Sequence, residues 1–423
     1  MHHYHTISVI GLGYIGLPTA TVFAQHGITV IGVDVNQHAV NTINQGKIHI
    51  VEPDLDIAVQ QCVKQQKLRA TTTPEPAQAF LIAVPTPFKG NDHEPDLSYI
   101  EAACKAIAPV LEKGNLIILE STSPVGATEQ MAQWLAKARP DLTFPQNAGE
   151  NSDIRIAHCP ERVLPGRVMR ELIENDRIIG GMTLKCAKAA TDLYKVFVKG
   201  DCIITNARTA EMCKLTENSF RDVNIAFANE LSIICDKLNI NVWELIALAN
   251  RHPRVNILQP GCGVGGHCIA VDPWFIVNKT PSLARLIHTA RLVNDSKPDW
   301  VINKVNHLLL DSLTENSAKS LTDIKIACLG LAFKPDIDDL RESPAVKITT
   351  KLAEKYPNQI FAVEPNIQHL PAKLQEKGIQ LVDLTTALAT VDVVVLLVDH
   401  KEFKALQNLP QNIKVVDTKG VYN

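Results

Sequence analysis

The sequence has no block of like charge longer than a few residues and no long apolar run. Its formal net charge is -3, so neither nucleic acid nor an anionic membrane surface is an expected partner. No stretch reaches the roughly 18 apolar residues that a membrane-spanning helix needs. The sequence also opens without a basic segment followed by a signal-length apolar core. We therefore expect a cytoplasmic protein that does not interact with a membrane.

Spacings typical of metal sites are also missing, because no CxxC and no HxxxH pair occurs. The ten cysteines lack the regular spacing of a disulfide framework, and a reducing compartment would keep them as thiols. The opening segment MHHYH could bind a metal adventitiously, but a tag-like start is the simpler interpretation. We expect no functional metal site.

What the chain does have is a repeating order of apolar strands, turns and helices. At 423 residues with 46% apolar content it is too long for one core. Two such series flank a long helix without internal glycine or proline, at residues 207–238. The pattern predicts an α/β protein with two Rossmann-like doubly wound domains, joined by the long central helix and a helical dimerisation domain. The predicted domains are residues 1–200, 201–312 and 313–423, with the polar segment SLTENSAKSLTD as a linker.

The first series contains the pattern GLGYIG between an apolar strand and a helix. Gly11 permits a tight turn, Gly13 lets backbone approach a pyrophosphate, and Gly16 allows close helix packing. The helix N-terminus would face the phosphate charge. The next strand, ITVIGVD, ends in Asp34, which would bind ribose hydroxyls and repel a 2'-phosphate. The sequence thus favours NAD over NADP as cofactor.

Two further apolar strands, in AFLIAVPTP and NLIILESTSPVG, end in hydroxyl residues. In a doubly wound sheet the carboxyl ends of the strands line the ligand crevice. Thr86 and Thr122 are therefore candidates for contacts to the nicotinamide half of the cofactor. Threonine and proline after a strand are equally common as turn formers.

Two side chains on the long helix and two acids elsewhere are candidates for catalysis. Lys214 and Asn218 are four residues apart, project from one helix face, and could together hold a water or an oxyanion. A solvated charge is the commoner role for a helical lysine. Glu161 follows an apolar strand in CPERVLPG, and Asp272 closes the segment GVGGHCIAVD.

The segment GVGGHC ends in Cys268 after a run of glycines that leaves little side chain around the sulfur. A substrate carbon could approach such a thiol without steric obstruction, and backbone N–H groups could lower its pKa. Cys268 is therefore the predicted nucleophile. We interpret the other nine cysteines as small buried hydrophobes, although Cys262 lies in the same loop and could pair with Cys268.

Seven segments of the chain resemble the UDP-glucose/GDP-mannose dehydrogenase family in order and spacing: GLGYIGLP, VPTP, STSPVG, CPERVLPG, EMCKLTENSFRDVNIAFANE, GVGGHCIAVDP and GLAFKPDIDDLRESP. The resemblance covers essentially the whole chain. It implies an NAD-dependent, four-electron oxidation of the primary alcohol of a nucleotide sugar to a carboxylate. The block RHPRVNILQPGCGVGGHCIAVDPWFIV is similar to the aminosugar branch, which implies UDP-N-acetyl-D-mannosamine as substrate. Val271, where much of the family has lysine, fits that branch.

The resemblance implies the order of the chemical steps. The first hydride leaves C6 of the sugar while Lys214 and Asn218 hold the alcohol oxygen. Cys268 then attacks the aldehyde, and the thiohemiacetal loses the second hydride to give a thioester. Glu161 or Asp272 could activate the water that hydrolyses it. The residues alone leave that choice open, and the resemblance favours Glu161 as base with Asp272 in support.

The long helix makes a homodimer the expected assembly, because its apolar positions can also face another subunit. The resemblance implies further binding residues, among them Arg251 and Arg254, which are sometimes supplied across such an interface. Exposed arginines are also commonly mere solvated charges. The residues expected at the cofactor are Gly11, Gly13, Tyr14, Ile15, Gly16, Asp34, Thr86, Thr122, Lys334 and Arg341. The residues expected at the substrate are Arg162, Val163, Lys214, Asn218, Arg251, Arg254, Gly265, Phe333 and Lys334.

Three other functions remain compatible with the sequence. The substrate could be another nucleotide sugar, such as UDP-N-acetylglucosamine, UDP-glucose or GDP-mannose. A one-step hydroxyacid dehydrogenase would share the fingerprint and the helical lysine but would not need Cys268. A sensor or scaffold could bind NAD and a nucleotide sugar without turnover, although it would not need Lys214, Asn218, Cys268 and Asp272 together.

Overall fold

The structure is a computed structural model that describes residues 4–90, 92–164, 166–266, 268–315, 320–406 and 409–422. The chain divides into two compact units. One consists of Met1–Glu217 with Asn278–Thr280, and the other of Asn218–Val277 with Pro281–Asn423. The division into three domains at 200/201 and 312/313 stays a prediction.

The first unit is an α/β domain around a predominantly parallel sheet. Its strands are β1 (Thr6–Ile10), β2 (Thr29–Val33), β3 (Leu68–Thr71), β4 (Ala79–Ile82), β5 (Phe88–Lys89), β6 (Glu94–Pro95), β7 (Leu116–Leu119), β8 (Arg155–His158), β9 (Arg177–Gly181) and β10 (Cys202–Asn206). Its helices are α1 (Gly16–Gln25), α2 (Gln37–Asn44), α3 (Leu55–Lys64), α4 (Ser98–Ile107), α5 (Ala127–Ala138), α6 (Pro145–Ala148), α7 (Val168–Glu174) and α8 (Leu184–Tyr194). Short 3-10 helices cover Ala108–Val110 and Gly149–Asn151.

The strand order of this sheet is β10-β9-β8-β7-β4-β1-β2-β3. All neighbours pair in parallel except β8 and β9, and β5 and β6 form a separate antiparallel pair. The order reverses at β1, which lies between β2 and β4. In sheets of this kind ligands bind beyond the carboxyl ends of the strands at such a switch point.

The sheet of the first unit is apolar on both faces, as a parallel sheet covered by helices requires. In β1, Ile7 and Val9 belong to one buried cluster and Ile10 to another. Successive side chains of a strand point to opposite faces of the sheet, so this one short apolar run contributes to both cores. Because β1 is packed on both faces, its end and the turn that follows it are fixed at the crevice.

The long helix α9 spans Ala207–Leu238, the predicted residues. A rise of about 1.5 Å per residue gives this helix a length of roughly 48 Å. No glycine or proline interrupts its 32 residues, so no backbone hydrogen bond of the ladder is lost to a breaker. The helix carries two of the predicted catalytic side chains, Lys214 and Asn218.

The second unit has a smaller, wholly parallel sheet of order β13-β12-β11-β14-β15. Its strands are β11 (Ile326–Leu329), β12 (Ile360–Val363), β13 (Gln380–Leu381), β14 (Val393–Leu396) and β15 (Lys414–Asp417). The remaining helices are α10 (Val242–Ala249), α11 (Asp272–Lys279), α12 (Arg285–Glu315), α13 (Pro344–Lys355), α14 (Ala372–Gln375), α15 (Leu384–Thr390) and α16 (Lys401–Lys404), with a 3-10 helix at Leu321–Asp323. Ser343 caps α13 by accepting from the N–H of Val346, and Pro344 fills the first helical position.

These observations confirm the predicted fold class of two Rossmann-like parallel-sheet domains and a long central helix. Two local expectations differ from the structure. Tyr4, part of the segment interpreted as a tag-like start, is buried, and its hydroxyl donates to the carbonyl of Ala189 at 3.3 Å. The ring joins the apolar cluster of Ile7, which is why it is ordered; residues 1–3 lie outside the described residues.

The predicted polar linker also begins too early, because α12 continues to Glu315 and contains Pro298 in its interior. Leu309 is buried and Leu313 packs on the same cluster, so an apolar face extends the helix into the expected linker. Residues 316–319 lie outside the described residues. Within the described part of the chain, no helix combines the length and the apolar character that crossing a bilayer demands.

Candidate active site

The three glycines of the turn after β1 are required for two different reasons. Gly11 has a φ of +90°, and a Cβ there would lie 2.6 Å from the carbonyl oxygen of Ala83. A Cβ on Gly16 would lie 1.8 Å from the carbonyl oxygen of Gly11. At Gly13, by contrast, no atom of the described residues lies within 4 Å of the Cβ position. Packing inside the protein explains the first two glycines, and the space at Gly13 is room for a pyrophosphate to approach the backbone.

Asp34 lies directly after β2, beside this turn, and its carboxylate is oriented by two backbone N–H groups. Leu12 donates to Oδ2 and Asn36 donates to Oδ1, both at 2.8 Å. Each oxygen keeps a further lone pair that can accept a ribose hydroxyl. Tyr14 and Ile15 stand immediately before α1, whose first turn has no side-chain cap. The turn, the acid and the helix start together have the donors and acceptors that a dinucleotide requires.

The structure also brings the two predicted threonines together. They follow β4 and β7, which are neighbouring strands. The Oγ1 of Thr86 donates to the carbonyl oxygen of Thr122 at 2.5 Å. Ser121 Oγ donates to the carbonyl of Val84 at 2.6 Å, so the two loops are joined twice at the switch point.

Glu161, the predicted base, lies beyond β8 and is nearly buried, with 8% of its surface exposed. Its Oε1 accepts from the backbone N–H of Arg162 at 2.6 Å, and its Oε2 forms a salt bridge with Arg177 at 3.1 Å. The Arg162 side chain pairs with Glu217 at 2.6 Å. Val163 packs on the core of the first unit. Both oxygens of Glu161 are thus engaged, which fixes the direction in which the carboxylate points.

Arg177 belongs to a buried polar cluster that the sequence analysis does not identify. Its guanidinium lies over the ring of Tyr194, 4.6 Å from the centroid. The Tyr194 hydroxyl donates to Glu120 Oε1 at 2.5 Å. Burial raises the pKa of Glu120 to about 7, against the opposing effect of Arg177, and burial raises the pKa of Cys159 to about 12. The one sequence signal was an acid at the end of an apolar strand, in LIILE.

In the second unit, Asn218, Asp272 and Cys268 come together, although they are far apart in sequence. Asn218 Nδ2 donates to Asp272 Oδ2 at 2.5 Å, and Asp272 is 3% exposed. The carbonyl oxygen of Cys268 accepts from the N–H groups of Val271 and Asp272, at 3.0 and 2.8 Å. The thiol-bearing residue is exposed and lies one turn before α11. Lys214 is half-buried on α9, four residues before Asn218.

Packing supplies a second reason for the glycines before Cys268, beside the open approach to the sulfur that the sequence suggests. A Cβ on Gly265 would lie 2.5 Å from the carbonyl oxygen of Glu342 and 2.6 Å from Pro344. Gly266, at a φ of +80°, would place a Cβ 2.9 Å from the ring of Phe333. The loop therefore rests against the segment that carries Phe333, so two predicted substrate residues, Gly265 and Phe333, are neighbours.

Proline within α12 contributes to the same packing. Pro298 has no N–H, so it cannot donate to the carbonyl of Asn294, four residues earlier. That carbonyl oxygen would lie 3.3 Å from a Cβ on Gly263, whose φ is +135°. A glycine is needed at this point because the loop backbone passes the released carbonyl closely.

The other predicted binding residues lie on exposed or half-buried segments. Lys334 is half-buried in the loop after β11, and Arg341 pairs with Asp339 at 2.6 Å. Arg251 and Arg254 are exposed in the turn after α10. The roles of all four in binding stay predictions.

Burial separates Cys268 from most of the other cysteines. None of the ten, all of which lie in the described part of the chain, forms a disulfide, and seven are buried. The expectation of burial is wrong for Cys202 and Cys213, which are half-buried because they lie on an edge strand and on a partly exposed face of α9. Cys262 Sγ lies 3.5 Å from the carbonyl of Leu397, in the core of the second unit.

Comparison with known proteins gives three matches to one family along the chain. Residues 5–198 match the NAD binding domain of the UDP-glucose/GDP-mannose dehydrogenase family, residues 208–296 its central domain, and residues 327–423 its UDP binding domain. Each matched range lies inside one of the three predicted domains.

Relatives match over nearly the full length. A UDP-N-acetyl-D-mannosamine dehydrogenase of Yersinia pestis is 67% identical over 99% of both chains. An NDP-N-acetyl-D-galactosaminuronic acid dehydrogenase of Ralstonia nicotianae is 63% identical over 99% of this chain and 97% of its own. Among solved structures, UDP-D-ManNAc dehydrogenase of Pyrococcus horikoshii has a TM-score of 0.86 and 38% identity, covering 99% of this chain and 96% of that one.

Proposed function

Because the chain belongs to the UDP-glucose/GDP-mannose dehydrogenase family, we propose that it oxidises the C6 alcohol of UDP-N-acetyl-D-mannosamine to a carboxylate. Family membership makes it an NAD-dependent oxidoreductase that acts on a nucleotide sugar. The proposal of this particular sugar rests on the 67% identity, over 99% of the chain, with the UDP-N-acetyl-D-mannosamine dehydrogenase of Yersinia pestis. The product would be UDP-N-acetyl-D-mannosaminuronate.

Cofactor binding would fall to the turn after β1 and to Asp34. Bound NAD accepts a hydride from the sugar carbon. Gly13 leaves the backbone accessible to the pyrophosphate, and the oriented carboxylate of Asp34 receives the ribose hydroxyls and repels a 2'-phosphate. Thr86 and Thr122 keep the loops after β4 and β7 together beside the nicotinamide position.

Alcohol oxidation requires groups that hold the sugar oxygen while it loses its proton. Asp272 accepts a hydrogen bond from the amide nitrogen of Asn218. The amide oxygen of Asn218 is therefore directed away from that carboxylate and can accept a hydrogen bond from the O–H of the sugar alcohol. Lys214, four residues away on α9, supplies the positive charge that stabilises the developing oxyanion, and the alcohol proton passes to water. Asp272 acts through the orientation of Asn218 in this scheme.

The second oxidation requires a covalent intermediate, because an aldehyde is a poor hydride donor until a nucleophile adds to it. Cys268 Sγ forms a bond to the aldehyde carbon, and the oxyanion of the resulting thiohemiacetal is stabilised by Lys214. Loss of the second hydride leaves a thioester. Water then breaks the C–S bond, the carboxylate departs and the thiol regains its proton.

Glu161 is the favoured group for orienting the hydrolytic water. Its carboxylate is held in one direction by Arg177 and by the N–H of Arg162. In this scheme the fixed carboxylate orients the water toward the thioester carbon. Asp272, which Asn218 already engages, is the supporting group.

A second substrate has a specific observation in its favour. The Ralstonia nicotianae relative, named for N-acetyl-D-galactosaminuronic acid, is 63% identical over nearly the whole chain. We would assay NADH formation with UDP-N-acetyl-D-mannosamine, UDP-N-acetyl-D-galactosamine, UDP-N-acetylglucosamine, UDP-glucose and GDP-mannose. The proposal expects the highest kcat/KM for the mannosamine nucleotide. A higher value for any other sugar would reassign the substrate, and no turnover of any of them would leave the scaffold function.

A homodimer is the proposed assembly, on the evidence of one face of α9. Phe220, Phe227 and Ile234 recur every seven residues and are 71%, 53% and 45% exposed. Such a regular apolar stripe is typical of a helix that packs against a partner. Phe227→Glu should convert the dimer to a monomer in sedimentation velocity, whereas Arg221→Gln, an exposed change on another face of the same helix, should not. A monomeric wild-type protein would contradict this assembly.

The cytoplasm is the proposed location. The ten cysteines form no disulfide in the described structure, and an exposed nucleophilic cysteine such as Cys268 persists best in a reducing compartment. Cell fractionation with an antibody against the chain tests this, and recovery outside the cytoplasmic fraction would overturn it.

A further inference from the structure

A buried acid and a buried histidine lie at the turn after β11 in the second unit. Glu364 follows β12, and its Oε2 accepts from the N–H groups of Leu331 and Ala332, at 2.7 and 3.0 Å. His400 Nε2 lies 3.0 Å from the same oxygen. Asn366 donates to Oε1 through its backbone N–H at 3.1 Å. Neither the Glu364 nor the His400 side chain is exposed.

Glu364 occupies the position in the second sheet that Asp34 has in the first. Each acid follows the strand next to the Gly turn, and each accepts from an N–H of that turn. The carboxylate of Glu364 is filled by donors from the protein, with three on Oε2 alone. It therefore has no capacity left for ribose hydroxyls. Glu364 therefore holds the loop after β11 in place and is not available to bind a dinucleotide.

His400 connects this acid to the far end of the same loop. Its Nδ1 accepts from the backbone N–H of Asp336 at 2.9 Å. A ring nitrogen that accepts carries no proton, so Nε2 is the N–H that donates to Glu364. The Asp336 side chain in turn accepts from the N–H of Lys401 at 3.0 Å. The segment 331–336 is thus held at its beginning by Glu364 and at its end by His400.

Phe333 and Lys334 lie between these two anchors. The Phe333 ring borders the backbone of Gly266, where a Cβ would come within 2.9 Å of it. Gly265 lies at the same contact, and a Cβ there would be 3.0 Å from Phe333 Cβ. The loop of Cys268 therefore packs on a side chain whose own backbone is fixed by the buried pair.

We propose that Glu364 and His400 are positioning residues that fix the loop of Phe333 and Lys334 for the nucleotide and, through the Phe333 ring, set the glycine loop of Cys268. The proposal rests on the proposed function, since it takes Phe333 and Lys334 as substrate contacts and Cys268 as the nucleophile. Neither Glu364 nor His400 touches the reacting atoms in this account.

The test compares full-length wild type with Glu364→Gln, His400→Gln and His400→Asn. We would measure the Kd for UDP and for NAD by calorimetry, and the rate of Cys268 alkylation by iodoacetamide through peptide mass spectrometry. Glutamine at position 364 replaces one carboxylate oxygen by an NH₂ group. That group faces N–H donors of the protein and cannot accept from them. We expect Glu364→Gln to weaken UDP binding roughly tenfold and to change the alkylation rate severalfold, with the Kd for NAD within about twofold.

The two His400 variants separate its two bonds. Glutamine keeps a donor near the Nε2 position but loses the acceptor for Asp336, whereas asparagine keeps an acceptor near Nδ1. We expect His400→Gln to weaken UDP binding more than His400→Asn, because the Asp336 bond holds the loop directly. If Glu364→Gln does not fold, this comparison still decides the matter.

Val394→Ala is the matched control for a general loss of stability. Val394 is fully buried in β14 and packs on another cluster of the same unit. It should lower the melting temperature while leaving the UDP Kd and the alkylation rate near wild type. The proposal is overturned if Val394→Ala weakens UDP binding as much as the variants do, or if the variants leave both readouts unchanged. Failure to oxidise UDP-N-acetyl-D-mannosamine would refute the proposed function alone, because UDP affinity and alkylation do not depend on turnover.

Discussion

At the scale of single residues, the same position carries opposite chemistry in the two sheets. Asp34 receives two backbone N–H groups and keeps lone pairs for a ligand, whereas Glu364 is filled by protein donors. Hydrogen bonds to a charged group contribute about 1.5–3 kcal/mol each. The difference explains how one fold provides a cofactor site in one domain and a fixed loop in the other.

Replacing Asp34 should change cofactor preference. Asp34→Ala removes the acceptor for the ribose hydroxyls and the charge that repels a 2'-phosphate, so kcat/KM for NAD should fall by roughly tenfold or more. The ratio of kcat/KM for NAD to that for NADP should fall as well. Asp56→Ala, an exposed acid on α3, is the control. An unchanged NAD to NADP ratio would refute the ribose contact.

The buried acid Glu120 should make stability depend on pH. Burial raises its folded pKa to about 7, above the ordinary carboxyl value, with Arg177 opposing the rise. The folded state therefore holds a proton that the unfolded state has lost, and the unfolding free energy falls as pH rises from about 4.5 through 7. At about 1.4 kcal/mol per unit, the loss is up to roughly 3 kcal/mol.

Glu120→Gln carries no charge and should lack this decline. The difference in unfolding free energy between the variant and wild type, from urea titrations at several pH values between 5 and 8, should shift in favour of the variant as pH rises. Glu230→Gln, at an exposed position of α9, should follow the wild-type profile. Parallel profiles for Glu120→Gln and wild type would show that Glu120 ionises normally.

At the scale of elements, the loop of residues 261–266 is shaped by α12, α13 and the loop after β11. Gly261 donates its N–H to Asn229 of α9 at 2.9 Å. Asn229 in turn donates to Asn294 of α12 at 2.9 Å. The loop is therefore anchored at its start by side chains and near its end by the Phe333 contact, and Cys268, two residues beyond it, is exposed.

Two glycines of this loop should respond differently to alanine. Gly265→Ala would place a methyl group 2.5 Å from the Glu342 carbonyl, and such overpacking costs about 1–3 kcal/mol. Gly261→Ala would meet only the end of the flexible Lys419 side chain, at 3.2 Å. Urea unfolding should show the loss for Gly265→Ala and less than about 1 kcal/mol for Gly261→Ala. Equal effects would contradict the packing account of the loop.

At the scale of the whole molecule, the sequence predicted the features that are marked by a repeat or by a pattern of neighbouring residues. The strand, glycine turn and acid around Gly11 and Asp34 were predictable because their spacing is short. The α9 helix was predictable because 32 residues without a breaker leave few alternatives.

What the sequence did not predict depends on contacts between distant residues. Arg177, Glu120 and Tyr194 come from three separate strands and helices, and His400 meets Glu364 across 36 positions. No local spacing marks such partners. The extension of α12 into the predicted linker was missed because packing of Leu309 and Leu313 outweighed the polar composition of that segment.

The account as a whole depends on one enzyme carrying the sugar through both oxidations. The overall balance is one alcohol, two NAD+ and one water to one carboxylate, two NADH and three protons. A one-step dehydrogenase would stop at one NADH. The thiol nucleophile is needed only for the second oxidation and the hydrolysis that follows it.

The most direct measurement is the amount of NADH formed per UDP-N-acetyl-D-mannosamine consumed by the purified protein, with the product identified by mass spectrometry and Cys268→Ser assayed beside it. The account predicts about two NADH per sugar, a uronate product, and a variant that retains part of the first oxidation but forms no acid. About one NADH per sugar, or acid formed by Cys268→Ser at the wild-type rate, would contradict it.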